Sequence, residues 1–245
     1  LILNKISNGK RFIYGIVRRF SLTDFTLFRR SLKMESLEKM KEYMKGTTTV
    51  GLACKDGVVF ASDKRATMGT LIAHKIVQKS FMIDKHIGAT VAGSVADAQA
   101  LIRWMQAEAK LYRMRKGEEM SVKAAVTLAG NILFSQRYFP MIVQLIMGGL
   151  DRKGPSLYSI DPLGSAIKDK MIATGSGSPI ALGLLEDSFK EDLPIDKGVP
   201  LAVRALRAAL ERDAMTGDGI DVVKITEKGF EKLTEKEIES IVKAI

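Results

Sequence analysis

The chain holds one cysteine, Cys54, and two histidines, His74 and His86, among 245 residues. A lone cysteine excludes an internal disulfide and fits a reducing compartment such as the cytoplasm. Cys54 itself reads as a small buried hydrophobe on a strand. With no cysteine cluster and no His-x-x-x-His pair, the chain offers no recognisable zinc site. There is no Gly-x-Ser-x-Gly elbow and no Gly-x-x-x-x-Gly-Lys loop. Gly175-Ser176-Gly177-Ser178 lacks the third glycine of a dinucleotide fingerprint. No apolar run approaches the roughly 18 residues of a membrane span. A hydrolase made from this chain would therefore work without histidine, metal or cofactor.

Acidic residues are also in short supply, but unevenly. The net charge is +10, and residues 1–46 carry eleven Lys/Arg against four Asp/Glu. The remaining 199 residues hold 27 basic and 24 acidic groups, a net of +3. A body this balanced lacks the excess that phosphate backbones demand, so no nucleic-acid partner is expected. Residues 1–33 are rich in Arg and Phe, with Asp24 their only acid. That composition admits a transit-like or membrane-surface segment. The preferred expectation gives them no folded role, since the first methionine is Met34 and translation starting there would leave 34–46 as a short leader. Leu37, Met40 and Met44 give that leader at most a turn or two of helix.

From Thr47 the pattern turns to strands. Residues 47–55 and 58–65 read as a hairpin turned at Asp56-Gly57, and 73–81 and 86–92 as a second pair. Residues 94–115 and 121–137 read as helices, the second capped by Ser121. Strands follow at 141–150, 156–160 and 166–174, then helices at 178–187 and 196–214. Val199, Val203, Leu206 and Leu210 stripe the latter. A strand at 220–225 and a helix at 234–244 end the chain. Runs of strands separated by paired helices predict an α+β fold, with sheets packed on each other and helices outside. One domain over 47–245 is the simplest division.

The informative stretch is Gly46-Thr47-Thr48-Thr49-Val50-Gly51. It is readable as an ordinary threonine-rich strand start. Cleavage between Gly46 and Thr47, however, would give Thr47 a hydroxyl and a free α-amine, nucleophile and base in one residue. Residues two apart share a strand face, which groups Thr47 with Thr49, and Asp63 with Arg65 and Thr67. Lys79 falls between Val77 and Phe81. If buried it requires a counter-charge, and Asp63 is available; the alternative is an exposed strand charge for each.

Together with Ala61-Ser62-Asp63-Lys64-Arg65-Ala66-Thr67-Met68-Gly69, Ala92-Gly93-Ser94-Val95-Ala96-Asp97-Ala98-Gln99, Thr174-Gly175-Ser176-Gly177-Ser178 and Gly217-Asp218-Gly219-Ile220-Asp221-Val222, this stretch resembles the β subunits of archaeal 20S proteasomes. The resemblance covers nearly all of 47–245. It implies a four-layer αββα sandwich of the N-terminal nucleophile hydrolase type, with residues 1–46 as leader and cleavage at Gly46–Thr47. It implies Thr47 as nucleophile, Asp63 and Lys79 as its charged partners, and the Gly93 N–H as oxyanion donor. Ser176, Asp213 and Thr216 would form a supporting network. Thr67, Ala66, Val77, Phe81, Val91, Val95 and Gln99 would bind substrate. The implied partners are further copies in homo-oligomeric β rings, stacked with α-subunit rings in a barrel of four heptameric rings. A regulatory ATPase acting through the α ring and unfolded polypeptide substrates complete the set. Ala214 and Thr216 depart from the family, which often has serines there; Thr216 keeps the hydroxyl and adds a methyl. A non-catalytic ring subunit is the alternative of another class, and a bacterial two-ring threonine protease the alternative enzyme.

Overall fold

The computed structural model describes residues 46–245. The leader expected over 1–46 lies outside the described residues except for Gly46. Two five-stranded antiparallel sheets form the centre. The first contains β1 (Thr48–Cys54), β2 (Gly57–Asp63), β10 (Met171–Gly175), β11 (Ile220–Thr226) and β12 (Gly229–Lys232), ordered β10-β1-β2-β11-β12. The second contains β5 (Ser80–Asp84), β6 (Ile87–Gly93), β7 (Val143–Asp151), β8 (Gly154–Ile160) and β9 (Ala166–Asp169), in chain order. A small hairpin, β3 (Ala66–Met68) and β4 (Leu71–His74), stands apart from both.

Alternation along the strands sorts side chains into three cores. Val58 and Phe60 of β2, Val223 and Ile225 of β11, Ile146 and Leu157 fill the space between the sheets. Their neighbours Val59, Ala61 and Val222, with Val50 and Leu52, face the other way. There they meet α3 (Ser178–Ser188), α4 (Ile195–Arg212) and α5 (Glu235–Ala244), through Leu185, Ala202, Leu206 and Ile238. The outer face of the second sheet presents Ala89, Val91, Leu145 and Met147 to α1 (Val95–Lys116) and α2 (Val122–Ser135). Helices, sheet, sheet, helices make the four-layer αββα sandwich.

The helix starts follow from their caps. Ser94 accepts from Asp97 N–H, Ser121 from Ala124 N–H, and Thr234 with Glu237 forms a reciprocal capping box. Several expectations need correction. The expected strand 166–174 is two strands in different sheets, and the chain crosses between layers at Lys170. The expected strand 73–81 ends at His74 and resumes at Ser80, leaving Lys79 on irregular backbone. The first hairpin turns at Lys55-Asp56, with Cys54 paired to Gly57. Gly57 is demanded by closeness, not by the turn: a Cβ there would lie 2.3 Å from the Ile225 carbonyl oxygen. β12 and β3 had no counterpart among the expected elements, and β4 only in its last two residues.

Candidate active site

Thr47 sits at the head of β1, almost fully buried, with its Oγ1 donating to the Gly46 carbonyl at 2.7 Å. Gly46 has φ +126°, and a Cβ on it would lie 2.2 Å from Thr67 Oγ1. Only glycine fits this bend and this contact. On the far side, Ser176 N–H donates to the Thr47 carbonyl at 2.8 Å. That approach requires Gly175, whose added Cβ would lie 1.9 Å from the same oxygen.

Asp63 ends β2 with no exposed surface. Its Oδ1 accepts from Lys79 Nζ at 2.6 Å and Thr48 N–H at 3.1 Å; its Oδ2 accepts from Gly217 N–H at 3.1 Å and Arg65 N–H at 3.2 Å. Lys79 Nζ also donates to the Arg65 carbonyl at 2.6 Å. A carboxylate and an ammonium removed from water cost several kcal/mol each, of order, unless paired and hydrogen-bonded, as both are here. Burial pushes the Asp63 carboxyl up, while Lys79 and the Thr48 and Gly217 amides oppose it. Burial likewise pushes the Lys79 ammonium down, against the pull of Asp63 and aided by the nearby Arg65 guanidinium.

Asp213 caps the end of α4, beside the start of α3. Its Oδ2 accepts from the hydroxyls of Ser176 and Thr216, both at 2.5 Å. Thr216 Oγ1 lies 2.7 Å from Thr48 Oγ1, and Gly177 N–H donates to Thr48 Oγ1 at 3.0 Å.

One cavity is lined by Gly46, Thr47, Lys79 and Gly93, and by all seven residues expected to bind substrate: Ala66, Thr67, Val77, Phe81, Val91, Val95 and Gln99. Gln78 and Ala98 line it too. Gly93 has φ +123°, and a Cβ there would strike the Ile142 carbonyl at 2.2 Å. Val91 N–H donates to the Lys79 carbonyl, across the β5 side of β6. Two residues on, the Gly93 N–H faces the same side, past the start of β5 and toward the cavity.

The structure thus brings Thr47, Asp63, Lys79 and Gly93 to one place, and links Ser176, Asp213 and Thr216 to it through Thr48 and the Thr47 carbonyl. Arg65 departs from the shared face expected for it with Asp63 and Thr67. Its guanidinium turns to Asp218 at 2.7 Å and to the Ala214 carbonyl. Sequence reasoning missed Thr48, Gly177, Gly217 and the Arg65 main chain. The threonine run was visible, but alternation placed Thr48 on the opposite face, and the partners of its hydroxyl lie more than a hundred residues away. Among the described residues, no three His, Cys, Asp or Glu gather in a way that could hold a metal ion. No described helix is long and apolar enough to cross a membrane.

Residues 43–225 match the Proteasome family model, described as proteasome subunit. The chain is 55% identical over 200 residues to a proteasome subunit beta of Methanothermobacter thermautotrophicus, covering 81% of this chain and 95% of that one. It is 54% identical over 202 residues to that of Ferroglobus placidus, covering 82% and 96%. With that of Methanosarcina mazei the identity is 50% over 200 residues, covering 81% and 95%.

Proposed function

Since this chain belongs to the proteasome subunit family, as a β subunit of the archaeal type, we propose that it is the catalytic subunit of its particle: a threonine endopeptidase that removes its own leader at Gly46–Thr47. One observation carries the reading. The Thr47 hydroxyl lies against the Gly46 carbonyl, in the same cavity as Lys79 and Gly93.

In the precursor the α-nitrogen of Thr47 is an amide and cannot act as base. Thr47 Oγ attacks the Gly46 carbonyl carbon, its proton leaving to water; the Oγ–C bond forms, the C–N bond breaks, and the nitrogen takes up a proton. The amine is then free, and water hydrolyses the ester, releasing the leader's carboxylate and restoring the Thr47 hydroxyl. In the mature enzyme that amine, whose ordinary pKa is about 8, accepts the hydroxyl proton as Oγ attacks a peptide carbonyl. The Lys79 ammonium favours the neutral amine and the developing alkoxide, and Asp63 holds Lys79. Gly93 N–H meets the tetrahedral oxyanion; losing one such donor costs roughly 3 kcal/mol. The C–N bond breaks as the amine returns the proton to the leaving group. The acyl-threonine then passes to water.

Ala66, Val77, Phe81, Val91 and Val95 give the cavity an apolar wall; its polar lining is Thr47, Thr67, Gln78, Gln99 and Lys79, whose ammonium is already paired with Asp63. A charged side chain entering it would lose hydration unpaired, at about 2 kcal/mol or more. Cleavage after Leu, Phe or Tyr therefore exceeds cleavage after Asp or Arg by at least about tenfold, equivalent to roughly 1.4 kcal/mol. The working form is a β ring stacked with α-subunit rings, in a barrel of four heptameric rings fed unfolded polypeptide by an ATPase and housed in the cytoplasm. Residues 34–46 act as the propeptide and 47–245 as the hydrolase domain.

The test uses assembled particles of wild type and Thr47→Ala, N-terminal sequencing and a panel of fluorogenic peptides. Wild type should begin at Thr47 and cleave the apolar members. Thr47→Ala should keep its leader and cleave none. Intact wild-type leaders with no turnover would make this a structural ring subunit, and a preference for Arg or Asp would overturn the pocket.

A further inference from the structure

Thr48 has no exposed surface and touches both halves of the site. Its N–H donates to Asp63 Oδ1, the oxygen that also receives Lys79. Its hydroxyl enters the helical layer, where α3 begins and α4 ends. There the proton positions follow from chemistry. An ionised carboxylate only accepts, so the Thr216 proton points to Asp213 Oδ2. The contact between Thr48 Oγ1 and Thr216 Oγ1 must then use the Thr48 proton. Thr48 Oγ1 in turn accepts the Gly177 N–H. A directed chain therefore runs from the start of α3 through Thr48 and Thr216 to Asp213, which also fixes Ser176. Ser176 N–H closes the circuit on the Thr47 carbonyl. Gly177 is part of the fit, because a Cβ there would lie 2.2 Å from Thr48 Oγ1.

Building on the reading of Thr47 as nucleophile, we infer that Thr48 is a positioning residue for catalysis: its hydroxyl sets the Thr216–Asp213–Ser176 group, and its main chain sets Asp63, so both wings of the site hold one register about Thr47. Removing the hydroxyl leaves Gly177 N–H without a buried acceptor and Thr216 Oγ1 without its donor, and the group relaxes away from Thr47. Such a defect acts on the chemical step and leaves substrate binding to the cavity walls, which Thr48 does not line.

Assembled particles carrying Thr48→Val, Thr48→Ser, Thr216→Val and the Val/Val double substitution decide it, with kcat and KM measured on an apolar fluorogenic peptide. Valine keeps the shape of threonine and drops the hydroxyl; serine keeps the hydroxyl. Thr48→Val should lower kcat by about tenfold or more, with KM within about twofold. Thr48→Ser should return to within about threefold of wild type. The double variant should be no more than about twofold slower than the slower single variant, because both substitutions cut one chain. Wild-type kcat in Thr48→Val, no rescue by serine, or losses that multiply would each overturn the inference. If Thr48→Val fails to assemble, Thr216→Val decides by cutting the same bond from its other end, and undiminished kcat there overturns it. Thr47→Ala separates the two readings. If it hydrolyses as fast as wild type, the nucleophile assignment falls and this inference with it. If it is dead while Thr48→Val is normal, only the role of Thr48 is lost.

Discussion

Lys79 is held by opposing forces that fix the pH range in which the site can work. Desolvation lowers its proton affinity, and the Asp63 carboxylate only partly restores it. A group that must stay protonated loses its proton as pH rises through its pKa. Because that pKa lies below the ordinary 10.5, the alkaline limb of kcat/KM should fall before pH 10.5. On the acid side the Thr47 amine must be neutral, so kcat/KM should already fall as pH drops through the amine's range, ordinarily about 8; Asp63, raised by burial above the ordinary 3.8, is protonated further down. A pH–rate profile on intact particles measures both limbs; one that stays flat from 3.8 to 10.5 would contradict the pairing. Either residue without the other would leave a buried charge uncompensated, a loss of roughly 3–5 kcal/mol. In the sequence, Thr47 and Asp63 stood out within motifs, and Lys79 as a strand lysine between Val77 and Phe81 in need of a counter-charge. Thr48 did not, because a directed hydroxyl chain depends on how a strand, a helix start and a helix end meet.

At the scale of elements, legibility followed periodicity. β1, β2 and β11 alternate because one face meets helices and the other meets a second sheet, and α1, α2 and α4 kept their expected places. The crossing at Lys170 was hidden because no glycine or proline marks it and Lys168-Asp169-Lys170 reads as the polar middle of one strand; only tertiary pairing supplies the break. The packing of α4 on β1 turns on one pair. Gly198 lies inside α4, and a Cβ on it would lie 2.4 Å from Cys54 Sγ. The same burial pushes the Cys54 thiol up to about 12, leaving it an inert core group. Gly198→Ala would gain up to about 1 kcal/mol of helix propensity, yet overpacking costs about 1–3 kcal/mol. It should therefore lower stability by roughly 1–2 kcal/mol in urea unfolding. Adding Cys54→Ala should recover most of the loss by vacating the space. A double variant no more stable than Gly198→Ala alone would show that the two side chains do not share the space.

At the scale of the whole molecule, five distant stretches converge because the sheet order brings them together. β2 carries Asp63 beside β1, β10 ends on its other side at Gly175, just before Ser176, and the loop before β11 returns Gly217 to Asp63. Thr48 ties the Asp63–Lys79 pair at the end of β2 to the Asp213–Thr216 group at the end of α4. β1 is an inner strand, paired Thr48 to Gly175 and Thr49 to Ser62. A chain end ordinarily frays, since little holds it. Removing the leader would instead create an end that begins inside a sheet, clamped from both edges. Amide hydrogen exchange over 48–54 in the processed protein should thus be as slow as over the middle of β2, a protection reached only by large-scale opening. Exchange within seconds would show the end to be loose. A terminal amine so anchored would enter each turnover already in place, sparing the reaction the ordering entropy that a mobile terminus would have to give up.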